Sequence, residues 1–268
     1  MRALGIYGGA QGIWVDKLHT ANSETGPDGV TVGILHTGRH YEDDLSEDGV
    51  IYHYPKTSRP PARDTAEVQA TKNAMTHQLP VFVVLPGKNT NARRSLKLGW
   101  VSDFDDENRQ FLVLFANEPP KYDPAKAADE PFTLMGTPNK KAATVMARRG
   151  QQRFRFQVMA QYGSKCAVCD IRYPALLKAA HICGVAQQGS DDWRNGIPLC
   201  ATHHDAFDDH LFCIHPNSKV IECKPGITAS EIGLRETSLK TLKNEPHDDA
   251  LRWRWDVTCK RWSVPVQE

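Results

Sequence analysis

The residues best suited to chemistry crowd into residues 166–215. Cys166-Ala167-Val168-Cys169 opens the stretch, and Lys178-Ala179-Ala180-His181-Ile182 follows. Then come Arg194-Asn195-Gly196-Ile197-Pro198-Leu199-Cys200-Ala201-Thr202-His203-His204 and Phe207-Asp208. Thiolates and imidazoles bind zinc in tetrahedral sets, and two short-spaced pairs from separate segments can close such a site. Cys166 with Cys169 is one pair, and Cys200 with His203 is the natural second. Cys213 is a rival for the fourth position. Cys183, Cys213, Cys223 and Cys259 have no partner at ligand spacing and read as core residues. His181 and His204 remain. A neutral imidazole can take up a proton near pH 7, or hold a second ion.

These residues need elements to position them. Arg148 to Tyr162 reads as a helix with Phe154, Phe156, Val158 and Met159 on its inner side, leading into Cys166. Leu211–His215 and Lys219–Cys223 form a hairpin around Pro216-Asn217-Ser218. Residues 230–243 read as helical, and Leu251-Arg252-Trp253-Arg254-Trp255 as an aromatic, basic segment that packs on this core. Upstream, residues 1–30 are Gly-rich and irregular. Strands are expected over Val30–His36, Val50–Tyr54 and Leu79–Leu85. Asp64 is placed to cap a helix from Thr65 to about Gln78, with Ala66, Ala70, Ala74 and Met75 on one face. Gly99–Val101 and Phe111–Phe115 read as a hairpin around residues 103–108. Five short strands and one helix imply a compact mixed or barrel-like β domain. The Pro-rich run from Asn117 reads as the start of a linker.

The chain has 268 residues and a net charge of +1. The part up to Glu118 is slightly acidic and the remainder slightly basic. Any nucleic-acid contact must therefore rest on local patches rather than a global field. No apolar run reaches the roughly 18 residues of a membrane span, and the N-terminus lacks a signal-peptide stretch. A soluble, cytoplasmic protein is expected. The odd count of seven cysteines then favours metal ligation over disulfides.

The ordered series from Lys178 to Asp208, with Arg153-Phe154-Arg155-Phe156 and Tyr162-Gly163-Ser164-Lys165-Cys166 before it, resembles the HNH (ββα-metal) nucleases. The nearest type is the subgroup fused to modification-dependent restriction enzymes. The resemblance covers roughly residues 149–223. It implies that His181 is the general base that deprotonates a water. It implies that Asn195 orients this histidine and braces the loop, and that His204 helps hold one divalent ion (Mg²⁺, Mn²⁺ or similar). Phosphodiester hydrolysis requires these parts: an activated water, a held base and a cation on the phosphate. Many family members carry an acidic residue or histidine just before the base, as a second metal ligand. Here that residue is Ala180. Asp208 is the candidate replacement, unless Phe207-Asp208 fixes the helix to the hairpin. Adjacent His203 and His204 are expected to serve different ions.

Residues 28–116 resemble the SRA (YDG) domains of the PUA-like barrel group, through Tyr41-Glu42-Asp43-Asp44, Gly49 and Tyr54, then Asp64, Glu67, Ala70, Ala74 and Pro80–Val84. Such domains flip a modified cytosine out of duplex DNA. The resemblance implies stacking by Tyr41 and Tyr54 and acceptance from the cytosine amino group by Asp44. Pro55 stands where family members often place a small hydroxyl residue. Lys88, Arg93, Arg94 and Lys97 lie on a loop suited to DNA phosphates.

The sequence therefore leads us to expect an α+β protein. An SRA/PUA-like β-barrel domain spans 1–118, a linker 119–147, and an HNH domain with structural zinc 148–268. The expected activity is cleavage of double-stranded DNA near a modified cytosine (5-methyl or 5-hydroxymethyl), with a homodimer needed to cut both strands. Two alternatives stand beside it. One is an HNH nuclease whose PUA-like domain reads RNA or unmodified DNA. The other is a zinc-stapled DNA-binding module without catalysis.

Overall fold

The structure, a computed structural model, describes residues 12–36, 45–87, 94–120, 130–136 and 150–262. Two compact units divide the chain, Met1–Glu130 and Pro131–Glu268. Among the described residues no helix is long and apolar enough to cross a membrane.

Unit one is a six-stranded sheet with one long helix. Its elements are β1 (Ile13–Val15), a single helical turn α1 (Lys17–Thr20), β2 (Thr31–Leu35), β3 (Gly49–His53), α2 (Pro61–Thr76), β4 (Pro80–Leu85), β5 (Ser95–Asp105) and β6 (Gln110–Phe115). The order is β1-β2-β4-β5-β6-β3. β2 and β4 run parallel, and every other pair in this sheet is antiparallel. The apolar runs at Val81–Leu85 and Phe111–Val113 fill the centre, where Val81, Val83, Phe111 and Val113 are fully buried. Central strands covered on both faces read as continuous apolar runs rather than alternating ones.

The expected barrel is not found among the described pairings. The sheet is open, with β1 and β3 at its edges. β1 is three residues long and its register slips between Trp14 and Val15, so it offers β3 no ladder on which to close. β1 itself falls in a stretch expected to be irregular. α2 starts at Pro61 with no side-chain cap. Pro favours the first helical position because its fixed φ suits the helix and its missing N–H is no loss there. Asp64 is thus not the cap: its carboxylate accepts from the Thr57 amide and hydroxyl at 2.9 and 2.8 Å. The helix buries Ala70 and Ala74 as expected. It also buries polar groups: Thr71 bonds Thr31 at 2.8 Å, and Asn73 donates to the carbonyls of Thr25 and Gly29.

Unit two contains α3 (Gln151–Tyr162), β7 (Leu177–His181), β8 (Gly196–Cys200), α4 (Ala201–Asp208), β9 (Phe212–Ile214), β10 (Ile221–Cys223) and α5 (Asp248–Trp262). β7 and β8 form an antiparallel hairpin, with Leu177 opposite Cys200 and His181 opposite Gly196. α3 and α4 both pack on it. The 212–223 hairpin forms as expected. Residues 230–243 do not form the expected helix. They run through turns, because Thr228 and Glu231 close a side-chain-bonded turn and Gly233 takes a positive φ of 76°. Within the expected linker, the amide of Gly136 donates to the Gln188 carbonyl, and the Leu134 carbonyl accepts from Ser190.

Candidate functional site

A β-hairpin followed at once by a helix carries His181, Cys200, His203, His204 and Asp208, and Cys166 and Cys169 precede it. The knuckle that carries Cys166 and Cys169 is pinned from both sides. The Cys166 amide donates to the Ile171 carbonyl and the Ala167 amide to the Pro198 carbonyl of β8, each at 2.8 Å. Cys200 ends β8, and His203 follows one turn into α4. All four donors are buried, and their ligand atoms lie within 4.8 Å of one another.

Zn–S bonds of about 2.3 Å in a tetrahedron put neighbouring donor atoms about 3.8 Å apart. The contacts are of that size. Cys169 Sγ to Cys200 Sγ is 4.0 Å, Cys166 Sγ to His203 Nδ1 is 3.6 Å, and Cys200 Sγ to His203 Nδ1 is 3.1 Å. His203 Nε2 sits 2.9 Å from the Ile232 carbonyl, which assigns it the proton and leaves Nδ1 free to ligate. Burial pushes the Cys166 thiol up to about 12 and lowers His203. Buried thiolates require a compensating cation, so the donor set fits a metal. Among the described residues this is the one cluster of three or more His, Cys, Asp or Glu tight enough to hold an ion. Cys213, the rival ligand, lies buried in β9 and outside the set.

Consecutive helical residues point about 100° apart. His203 therefore turns inward and is 4% exposed, while the neighbouring His204 faces another way. His204 Nδ1 lies 3.4 Å from Asp208 Oδ2 and 3.8 Å from Asp205 Oδ1. These are two-residue contacts on one helix, and a divalent ion bound there would take its remaining ligands from water and phosphate. Phe207, between them, is fully buried against Phe212 and under the Arg254 guanidinium, whose carbon lies 4.2 Å above its ring. Arg254 also donates to the Phe207 carbonyl. Burial lowers Arg254 to about 10. Trp255 packs edge-on against His215 at 4.8 Å. The aromatic, basic segment therefore anchors α4.

His181 closes β7. Its ring stacks on Phe154 of α3, with centroids 3.8 Å apart and planes 8° from parallel. Its Nε2 lies 3.0 Å from Asp191 Oδ1. The stack depends on Gly196, the residue opposite His181. A Cβ there would lie 2.6 Å from the Phe154 ring and 2.7 Å from Val158, so α3 could not approach β8. Asn195 is fully buried and bonds the loop backbone. Its Oδ1 accepts from the Cys183 amide at 2.9 Å, and its Nδ2 donates to the carbonyls of Cys183 and Ser190 at 3.0 and 2.8 Å. It is thus a loop brace, and the groups that touch the His181 ring are Phe154 and Asp191. Ala180 is 0% exposed within the main core and offers no ligand atom. Asp191 was not singled out from sequence, because an acidic pair in a Gly-Ser loop carries no periodic signal.

Of the expected base-pocket residues in unit one, Tyr54 is the one among the described residues. Tyr41 and Asp44 lie outside the described residues, as do Lys88 and Arg93. Tyr54 is buried. Its ring packs on Phe111 at 4.4 Å, Arg109 lies 5.6 Å from its centroid, and its hydroxyl donates to Asp106 at 2.8 Å. Those contacts engage both its ring and its hydroxyl. It forms one wall of a polar cavity of about 570 Å³ lined also by Arg59, Lys72 and Arg109. Lys97 sits in β5 opposite Val83 rather than on a loop. Both it and Arg94 are exposed.

Residues 166–215, from the first knuckle cysteine to just past β9, match the HNH endonuclease family. Residues 166–215 thus carry an HNH endonuclease match, and the activity class it supports is that of a DNA endonuclease, a hydrolase. The chain is also similar in structure to a solved protein described as a modification-dependent TagI restriction endonuclease. The likeness is at 17% identity over 96% of this chain and 88% of that one, with a TM-score of 0.38. No curated protein matches the sequence.

Proposed function

We propose that the protein is a modification-dependent DNA endonuclease in which the HNH domain cuts and the N-terminal unit selects the DNA. The observation that carries the nuclease half is His181 at the end of β7. The ring is held flat by Phe154, and α4, which packs on the same hairpin, carries His204 and Asp208, which can share an ion. Bound there, a divalent ion supplies charge neutralisation on the scissile phosphate and the leaving oxygen. His181 takes a proton from a water. The water oxygen bonds to phosphorus, the bond from phosphorus to the leaving sugar oxygen breaks, and that oxygen takes a proton from solvent. Asn195 holds the loop beside the base. Cys166, Cys169, Cys200 and His203 hold a structural zinc that fixes α4 to the hairpin. One such site cuts one strand, so a double-strand break takes two copies.

The selective half rests on the ordered likeness of residues 28–116 to modified-cytosine readers. Matched DNAs carrying cytosine, 5-methylcytosine, 5-hydroxymethylcytosine or its glucosylated form test it. Cutting confined to one or more modified DNAs supports it, and equal cutting of all four removes it. The commitment of Tyr54 to Phe111 and Asp106 favours a second reading, an HNH endonuclease that needs no modified base. Equal cutting is its signature.

A further inference from the structure

The HNH match and the proposed roles leave one carboxylate beside the base without an assignment. Asp191 Oδ1 lies 3.0 Å from His181 Nε2, and the two side chains are 28% and 14% exposed. The neighbouring acid is engaged elsewhere: Asp192 bonds the Arg194 amide and guanidinium at 2.6 to 2.9 Å. The loop that carries Asp191 is held at several points. Asn195 Nδ2 donates to the Ser190 carbonyl, the Ser190 amide donates to the Leu134 carbonyl, and the Asn195 amide donates to the Asp192 carbonyl. Space for the carboxylate is provided at Gly150, whose φ is 118° and whose added Cβ would lie 2.7 Å from Asp191 Oδ2. On the other side the imidazole is fixed by the Phe154 stack. Among the described residues, His181 Nδ1 makes no hydrogen bond to protein.

We propose that Asp191 is a positioning residue for His181. Its carboxylate accepts the Nε2 proton, so the neutral ring is held in one tautomer with the Nδ1 lone pair outward. Nδ1 is then the atom that receives the water proton. Once the proton has moved, the same contact becomes a charge-assisted pair that stabilises the imidazolium. A carboxylate behind the imidazole plays this part wherever a histidine must act as a base in one orientation. This assignment rests on His181 as the general base.

The test uses the full-length, zinc-loaded protein and compares wild type with D191A, D191E and H181A. Nitrogen-15 spectra of the His181 ring report the tautomer without any turnover. Nicking kinetics are measured against DNA and against Mn²⁺ concentration. The expected wild-type ring is protonated at Nε2 alone. In D191A that single tautomer is lost and kcat falls by about 10²-fold or more, with KM, Mn²⁺ dependence, zinc content and melting temperature unchanged. D191E regains part of both signals. A D191A protein with the wild-type tautomer and rate overturns the proposal. So does one whose defect is a weakened Mn²⁺ dependence with the tautomer intact, because Asp191 would then be a metal ligand. If H181A cuts normally, the general-base reading fails and this proposal with it. If H181A is dead while D191A is normal, only this proposal fails.

Discussion

The Ile232 carbonyl holds His203 from behind, 2.9 Å from Nε2, while Nδ1 of the same ring faces the Cys200 sulfur at 3.1 Å. The loop after β10 and the start of α4 are thereby joined through one imidazole, and the joint is complete only when an ion sits among the four donors. Structural zinc contributes about 10–16 kcal/mol to small domains that bind it. We therefore expect one zinc per chain in the native protein. Chelation, or Cys169→Ser, should abolish amide-exchange protection across 150–262 while leaving α2 and β4 to β6 protected. Retained protection in β7, β8 and α4 after complete metal loss would mean the cluster is not a structural staple.

Phe154 is expected to act on rate more than on fold when changed conservatively. Phe154→Leu removes the flat surface under His181 but keeps the side chain apolar, costing about 1–3 kcal/mol. Loss of ring orientation should lower kcat about 10- to 100-fold, with DNA affinity preserved. Single-turnover nicking against a thermal melt separates the two effects.

The chemistry of unit two was largely legible in the sequence, and its supports were not. Cys166, Cys169, Cys200 and His203 announce themselves because zinc ligands come in short-spaced pairs, and the structure gathers those four. Phe154 was legible as a core residue, but nothing in its spacing shows that it lies under an imidazole. That contact depends on Gly196, 42 residues along the chain from Phe154. Asp191, the Ile232 carbonyl and Arg254 act across long sequence separations and leave no local pattern. In unit one the long apolar strands at 80–85 and 111–115 were legible. β1 was not, because three residues beside glycines carry too little periodicity. Nor does the sheet close as expected, since closure depends on which edge strands can pair, and strand composition does not specify that.

Asn195 should prove a stability residue as much as a catalytic-site one. Asn195→Ala leaves the Cys183 amide and carbonyl and the Ser190 carbonyl without their partners in a buried loop. Such losses cost about 2–4 kcal/mol in sum. The melting temperature of unit two should fall by several degrees, and activity should fall even at temperatures where the variant stays folded. An unchanged melting temperature would show that water replaces the amide at no cost.

Unit one carries an acid-sensitive contact at the start of α2. The Thr57 amide, then the Thr57 hydroxyl and Arg59, hold Asp64 below its ordinary value near 3.8. A carboxyl depressed in the folded state stabilises that state above its ordinary value, and loses this contribution as pH falls through the folded value. Asp64→Asn should therefore cost unit one about 1–2 kcal/mol at pH 7, and the gap to wild type should close as pH falls below the ordinary value near 3.8. Denaturant melts followed across that window check it. A gap that stays constant with pH would show that the carboxylate charge is not what Thr57 and Arg59 recognise.

The account turns on His181 acting as the base of a metal-dependent DNA nuclease. The most direct measurement is nicking of supercoiled DNA bearing the preferred cytosine form, with Mn²⁺ or Mg²⁺, by wild type and His181→Ala at matched zinc content. The predicted result is divalent-dependent nicking by wild type, none with a chelator that spares the structural zinc, and a loss of about 10²-fold or more in the variant. Nicking by His181→Ala at the wild-type rate, or nicking by wild type without a divalent ion, would contradict it.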